Sequence, residues 1–351
     1  MKGYILLADG MRLDGVLAGA QKTAIGWLVA NTAVVGFQEM ATDPAYKDRI
    51  LAFTYPEVGN VGVTKAFSES SRLQVSGLVV KVLSEYRSHY LSEDSLENML
   101  KRDGVPCLSG VDTRGLAVHM REQGEMPAAI APDDANPEEI RKLLTALARP
   151  HFKPTEDPTT PPGNSGKKVA IINLGIRNSM LRQLSLCCQP AVLPYNADAE
   201  AVLAVGPKGV FISDGPSDVF PPAETVATIK ALAGRVPMLA CGLGHVALGV
   251  ALGCKAAFLK RGHHGANYPV KNLNQGRVEV TEQRHSVVLE RRSVTDNPKV
   301  QLLFENINDA TVEGICTADG TSVGLQSTLA PAQAGMVNPQ IKHFVDSLPE
   351  K

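Results

Sequence analysis

The sequence has no run of about 18 uncharged apolar residues and no excess of charge of either sign. Its 351 residues include 35 basic and 36 acidic side chains, which give a formal net charge of -1 at pH 7. A transmembrane helix needs an apolar run of about that length, and a strongly basic surface is the usual sign of nucleic-acid binding. We therefore expect neither a membrane span nor a nucleic-acid partner.

The six cysteines form no C-x-x-C pair, and no histidine cluster has the spacing of a zinc site. Adjacent Cys187 and Cys188 could be a redox pair, but two small buried residues are the simpler interpretation. The N-terminal apolar stretch is too short for a secretory signal and suits a first strand. We expect a reducing cytoplasm, and the sequence indicates no metal site and no cofactor.

The length suggests two domains. Residues 1–150 alternate short apolar runs with glycine turns and carry helical patterns at Ser95–Asp103 and Pro137–Ala148, which predicts a strand-rich domain with a few helices. A proline-rich linker over 151–166 follows. In residues 167–351 strands alternate with helices, which predicts an α/β domain with a parallel sheet. The strands expected there are 169–174, 191–194, 209–213, 238–241, 277–281, 287–289, 300–304, 311–316 and 321–325, and the helices are 180–186, 200–205, 224–233 and 341–348.

Residues 31–62 are dense in polar and turn-forming side chains. Asp-Pro and Tyr-Pro pairs set turns and glycine supplies positive φ, so loop chemistry explains the pattern. A surface shaped to dock a partner, or to line a site, is the alternative. Pattern alone slightly favours the loop interpretation.

The stretch Val236–Gly249 resembles a nucleophile elbow, the strained strand-to-helix turn that lifts a Ser or Cys to the end of a sheet. Such a turn needs small residues two before and two after its vertex. Ala240 and Gly244 satisfy this rule for a vertex at Gly242. The vertex is therefore a glycine, which has no nucleophile.

Three further segments lead to a family. The elbow, the turn Asp214–Asp218 and the segments Val111–Arg114 and Gly262–Val270 together resemble the small subunit of carbamoyl-phosphate synthetase. The resemblance covers nearly the whole chain in the family's domain order. It implies two domains in chain order. The family's own N-terminal domain comes first, and a class I glutamine-amidotransferase-like, flavodoxin-like domain follows it.

The resemblance also implies an activity and a partner. Small subunits of this family hydrolyse glutamine and pass ammonia to a large synthetase subunit, to which they dock largely through the N-terminal domain. The large subunit uses ATP and bicarbonate to make carbamoyl phosphate for pyrimidine and arginine synthesis.

The family's Cys-His-Glu triad is not retained at the matching positions. Gly242 stands for the nucleophile, Thr328 for the histidine base and Ala330 for the glutamate that orients it. Thr328 cannot act as a general base near neutral pH, and Ala330 cannot orient one. The resemblance therefore predicts that glutamine hydrolysis is absent.

The matching substrate pocket is also altered. Val246 replaces a glutamine-binding Gln, Ala45 replaces a serine, and Arg284 replaces an asparagine. The positions assigned to this vestigial pocket are Ala45, Gly215, Ser217, Leu243, Val246, Arg284, Ser286 and Val287.

The histidines leave two alternatives to a site without catalytic activity. Cys241 with His245 or His285 could form a rebuilt hydrolase, but a core thiol and a structural histidine are favoured. His263 and His264 could suggest a metal, but a structural loop is the preferred interpretation.

The N-terminal domain keeps the family's pattern while the glutamine site is eroded. This asymmetry predicts a non-catalytic small subunit of a synthetase that uses free ammonia. The alternatives are a stand-alone regulatory or scaffolding protein and, less favoured, a hydrolase with a new substrate.

Overall fold

A computed structural model describes residues 1–155, 158, 163–164, 166–331 and 335–350. The chain forms two compact units, one of Met1–Arg149 with Lys260–Gly265 and one of Pro150–Leu259 with Ala266–Lys351. The short segment 260–265 therefore packs with residues that precede it by more than a hundred positions. Of the predicted linker over 151–166, residues 156–157, 159–162 and 165 lie outside the described residues.

The first unit is built on a closed seven-stranded barrel in the order β1-β2-β8-β6-β4-β3-β9, beside a two-stranded sheet of β5 and β7. Its strands are β1 (Lys2–Leu7), β2 (Arg12–Gly19), β3 (Ala24–Asn31), β4 (Arg49–Phe53), β5 (Glu57–Val58), β6 (Gly77–Val79), β7 (Val82–Leu83), β8 (Pro106–Ser109) and β9 (Met126–Pro132). The predicted strand-rich domain is confirmed.

Alternating side chains explain how the barrel is filled. Side chains on successive strand residues point to opposite faces. Ile5 and Leu7 of β1 accordingly belong to a buried cluster that takes residues from all seven barrel strands. Tyr4 and Leu6, on the other face, pack against Ile140.

Four α-helices accompany the barrel: α1 (Phe37–Ala41), α2 (Leu96–Asp103), α3 (Thr113–Gln123) and α4 (Pro137–Ala146). The predicted α2 and α4 begin at side-chain caps. Ser95 Oγ accepts a hydrogen bond from the Asn98 amide, and Asn136 Oδ1 accepts one from the Glu138 amide. Helices α1 and α3 were not predicted.

The second unit is organised on one nine-stranded sheet in the order β11-β10-β12-β13-β18-β17-β16-β14-β15. Strands β11, β10, β12, β13 and β18 run parallel, and β17 and β16 follow in antiparallel pairing. The strands are β10 (Lys168–Asn173), β11 (Gln189–Pro194), β12 (Gly209–Ile212), β13 (Met238–Cys241), β14 (Ala256–Asn272), β15 (Val278–Leu289), β16 (Val300–Asn306), β17 (Val312–Thr317) and β18 (Ser322–Leu325).

Helices cover both faces of the parallel part. They are α5 (Asn178–Cys187), α6 (Ala199–Ala204), α7 (Ala223–Leu232), α8 (Leu243–Ala251), α9 (Arg291–Thr295) and α10 (Pro339–Ser347). Buried residues of α6, α7 and α8 share one core cluster, and those of α5 and α10 share another. The predicted α/β domain with a parallel sheet is confirmed.

Two sequence expectations about strands β14 and β15 are wrong. The strands predicted at 277–281 and 287–289 are one strand, β15, which begins at Val278. His263 and His264, interpreted as a structural loop, lie in strand β14 and are buried. The run is too polar to be recognised as a buried strand from its pattern alone. Within the described ranges, no helix combines the length and apolar character needed to cross a bilayer.

Candidate functional site

The predicted elbow is present, with its vertex at Gly242. Strand β13 ends at Cys241, helix α8 begins at Leu243, and Gly242 between them has φ 51° and ψ -118°. Residues with a side chain rarely adopt this conformation, whereas glycine does so readily. The Gly242 amide donates to the Leu325 carbonyl at 2.9 Å, which joins the turn to the end of β18.

Gly244 explains how α8 starts so close to the sheet. A Cβ placed on Gly244 would lie 2.5 Å from the Ile212 carbonyl oxygen and 2.7 Å from that of Ser213. Only a glycine avoids this overlap with backbone, so the small residue two after the vertex permits close packing of the helix on β12.

A carboxylate occupies the space beside the vertex. A Cβ placed on Gly242 would lie 1.9 Å from Asp214 Oδ1 and 2.3 Å from Asp214 Cγ. Asp214 follows β12 and is 7% exposed. Its Oδ1 accepts hydrogen bonds from the amides of Gly215 at 2.8 Å and Leu243 at 3.1 Å. The sequence analysis placed Asp214 in the turn Asp214–Asp218 but gave its side chain no role.

Thr328, the predicted position of the base, is bound to Glu282. Its Oγ1 donates to the Glu282 carbonyl at 3.2 Å and lies 3.4 Å from Glu282 Oε2. Its amide donates to the same carbonyl at 3.0 Å. The hydroxyl therefore acts as a hydrogen-bond donor here, and a neutral alcohol is too weak a base to take a proton from a thiol near neutral pH.

The Glu282 carboxylate is held ionised by Arg284. The two side chains form an ion pair at 2.5 Å, with Arg284 6% exposed and Glu282 26% exposed. Burial acts to raise the pKa of Glu282, but the Arg284 guanidinium, with smaller effects of Arg177 and Thr328, outweighs it and lowers the pKa. The cation that replaces the family's asparagine is therefore neutralised within the protein.

A cavity of about 320 Å³ in the second unit is lined by Glu282, Thr328 and Ala330, with Glu279 and Glu313 among its other walls. Ala330 is exposed, and its carbonyl accepts a hydrogen bond from Asn338 Nδ2 at 2.8 Å. An alanine at this position supplies no group that could orient a base.

The other pocket positions are largely packed or bonded to one another. Val246 and Leu243 are buried on α8 and share a core cluster with Val287. The Ser286 amide donates to the Ser217 carbonyl at 2.9 Å, which brings two of the predicted positions together. Gly215 is bonded to Asp214, as described above.

Ala45 belongs to the first unit, whereas the other predicted pocket positions belong to the second. It lies in the 3₁₀ turn Pro44–Tyr46, and its amide donates to Asp43 Oδ1 at 2.8 Å. The Asp-Pro pair recognised in the sequence thus caps a turn.

Cys241 and helix α8 lie on different faces of the sheet. Cys241 is 1% exposed and packs in the cluster of Phe211 and Leu239, whereas the apolar residues of α8 pack in the other cluster. His245, on α8, is fully buried, and desolvation lowers its pKa to about 4. This placement gives no support to a thiol–imidazole pair of Cys241 and His245.

We expect Cys241 to behave as an inert core thiol. Thiolates are the reactive species, and a thiol buried in apolar surroundings is slow to react. Cys187 is the matched comparison, because it is partly exposed and a hydrogen bond with Cys188 is the main cause of its lowered pKa. Iodoacetamide labelling followed by peptide mass spectrometry should modify Cys187 well before Cys241. Rapid stoichiometric labelling of Cys241 in the folded protein would revive the hydrolase interpretation.

His264 is part of a buried polar cluster in the first unit. Its Nε2 lies 3.1 Å from Glu125 Oε1, which also accepts the Gly262 amide at 2.9 Å. Glu125 Oε2 lies 3.7 Å from Arg49 Nη2, and both side chains are 2% exposed. Burial lowers the pKa of His264 despite the opposing effect of Glu125. The cluster ties segment 260–265 to the barrel.

The turn-rich residues 31–62 carry both features that the sequence left open. Asn31 Nδ2 donates to the Tyr46 hydroxyl at 2.8 Å, and Gln38 bonds the backbone of Thr64, so these polar side chains serve local structure. Val34 and Val35 are 62% and 77% exposed beside an apolar cavity of about 100 Å³. Adjacent apolar side chains at such exposure are a candidate docking surface.

Comparison with known proteins assigns both parts of the chain. The carbamoyl-phosphate synthase small chain CPSase domain matches residues 5–130, and the class-I glutamine amidotransferase domain matches residues 170–327. The carbamoyl phosphate synthase small chain of Listeria monocytogenes serotype 4b (strain F2365) is 37% identical over 319 residues, 90% of this chain and 87% of that protein.

Two further proteins are similar to this chain. The carbamoyl phosphate synthase small chain of Bacillus cereus (strain ATCC 10987 / NRS 248) is 36% identical over the same shares of both chains. A solved structure of a glutamine amidotransferase from Thermotoga maritima aligns with a TM-score of 0.38 at 15% identity, covering 48% of this chain and 79% of that one.

Proposed function

This chain belongs to the carbamoyl-phosphate synthase small chain family, and we propose that it pairs with a large synthetase subunit without hydrolysing glutamine itself. The complex would make carbamoyl phosphate from free ammonia. The observation that carries the proposal is the glycine at the vertex of an otherwise complete elbow. No covalent adduct with glutamine can form where the vertex has no side chain.

The positions of base and orienter support the same proposal. The Thr328 hydroxyl donates a hydrogen bond to Glu282, and Ala330 has no polar side chain. Val246 and Val287 are packed in the core and offer no polar group to a substrate amide. The nucleophile, the base, the orienting residue and the pocket are all changed. This favours a site that no longer hydrolyses glutamine over a site in which one residue has been exchanged.

Docking is proposed for the first unit. Small chains are named for an assembly with a larger chain, and the exposed pair Val34 and Val35 provides apolar area that a partner can bury. A pairing role also gives a reason for keeping this unit while the glutamine site changes.

The proposal is tested by reconstitution with the large synthetase subunit of the same organism. We expect the two chains to co-elute, and the complex to form carbamoyl phosphate with ammonium but not with glutamine. Carbamoyl phosphate formation from glutamine would contradict the loss of hydrolysis. Failure to form a complex would contradict the pairing and favour a stand-alone regulatory or scaffolding protein.

A matched pair of variants tests the docking surface. Val34→Asp with Val35→Asp is expected to weaken the complex on the order of tenfold or more, because charge would replace apolar contact. Val118→Asp, at a 44% exposed position on α3, is the control and should bind normally. Normal binding by the variant with Val34→Asp and Val35→Asp would place the interface elsewhere.

A further inference from the structure

The Leu243 amide has a partner that its own helix cannot provide. Leu243 is the first residue of α8, and the first N–H groups of a helix lack intrahelical acceptors. Gly242 precedes it and makes no side-chain cap. Asp214, 29 residues earlier in the chain, supplies the acceptor at 3.1 Å. The helix is thus capped by a residue of a different element.

The same amide has a defined role in working elbows. The N–H of the residue after the nucleophile is one of the donors that stabilise the oxyanion of the reaction intermediate. Here that N–H, and the amide of Gly215 at 2.8 Å, both bind Asp214 Oδ1. Two donors facing one point, at the positive end of a nine-residue helix, suit an anion.

The carboxylate and a vertex side chain exclude each other. A Cβ at Gly242 would stand 1.9 Å from Asp214 Oδ1, so any residue other than glycine would force the Asp214 side chain to rotate. Rotation would break both hydrogen bonds from the backbone amides. The Asp214 carboxylate, in a residue that is 7% exposed, would then lack these two donors.

From these contacts we propose that Asp214 is an internal ligand of a carboxylate-binding hole formed by the Leu243 and Gly215 amides. It fills the space of the nucleophile and takes the oxyanion donor, so Gly242 and Asp214 act as one unit. This inference deepens the proposed loss of glutamine hydrolysis by naming a residue outside the triad positions that keeps the elbow closed. Its tests use no glutamine, so the two proposals can fail separately.

The first test is chemical rescue. Asp214→Ala is expected to lower the Tm by roughly 4–8 °C, because the hydrogen bonds from two backbone amides are lost. Sodium formate should restore at least half of this loss, whereas sodium chloride at equal ionic strength should not. Asp198→Ala is the control, because Asp198 caps α6 through the Ala201 amide at an exposed position and encloses no hole for formate. Equal responses of the Asp214→Ala variant to formate and chloride would overturn the proposal.

The second test measures coupling between the two positions. Gly242→Ala should lower the Tm more in the wild-type background than in Asp214→Ala, where no carboxylate has to move. Equal shifts in both backgrounds would contradict the mutual exclusion.

Hydrogen exchange provides a readout if Asp214→Ala does not fold. Asp214→Asn keeps the shape but loses the charge, so its Leu243 amide should exchange at least threefold faster than in the wild-type chain. The Val246 amide, which bonds the Gly242 carbonyl within the helix, is the internal comparison and should change less. An unchanged Leu243 rate would show that the carboxylate does not bind this amide.

Discussion

Incubated with glutamine, the purified chain is expected to release glutamate about 10⁴–10⁶-fold more slowly than an intact small chain of its family. The residues of a catalytic triad act as a unit, so the loss of a principal member removes most of the rate. Here Gly242, Thr328 and Ala330 stand at all three positions. A coupled glutamate dehydrogenase assay, with the chain alone and with its large subunit, measures the rate. Turnover near that of the intact relative would contradict the proposed function.

The same assay shows how far the site has eroded. Gly242→Cys alone is expected to remain inactive, because the new side chain meets Asp214 and finds no base at Thr328. Adding Thr328→His and Ala330→Glu should give only weak activity with a high KM until Val246→Gln and Arg284→Asn are also introduced. Thermal melts of each variant provide the folding control. Robust turnover by Gly242→Cys would mean that only the nucleophile had been lost.

Glu125→Gln is expected to destabilise the first unit by about 3–5 kcal/mol, the largest effect on stability that we predict. The change leaves the buried Arg49 without the carboxylate that lies 3.7 Å away, and a broken buried ion pair costs that much. It also weakens the acceptor of the Gly262 amide. Urea unfolding followed by the fluorescence of Trp27, which lies in β3, reports on this unit.

Glu97→Gln in the same unit is the control for charge removal. Glu97 pairs with Lys101 at 2.7 Å across one turn of α2, with both side chains about half exposed. Exposed pairs of this kind contribute about 0.3–0.5 kcal/mol. Similar losses for the two variants would show that the Glu125 cluster does not stabilise the unit.

The sequence predicted local features well because they depend on neighbouring residues. Strand β13 and the vertex at Gly242 follow from an apolar run and the spacing of small residues. Helices α2 and α4 follow from their caps at Ser95 and Asn136. The polar run of β14 contains no such local signal, which is why its histidines suggested a loop.

The contacts that define the site were beyond sequence reasoning because they join distant positions. Asp214 meets Leu243 across 29 residues, and His264 meets Glu125 across 139. A single sequence shows that Gly242 lacks a side chain but not what fills the space. The pairing of Arg284 with Glu282 could have been suspected from their i, i+2 spacing on one face of a strand.

Closure of the barrel determines how anything can attach to the first unit. A sheet with free edges can be extended by a strand from another chain, through its row of unpaired N–H and C=O groups. Across residues 1–149, all of which are described, the seven barrel strands form a ring without an edge, and only two-residue β5 and β7 have unpaired sides. The barrel strands therefore cannot pair with a strand of another chain, which also excludes edge-to-edge aggregation through the barrel. A partner of this unit is then recognised through side chains on its loops, helices and outer strand faces, where single substitutions can change binding without altering the fold.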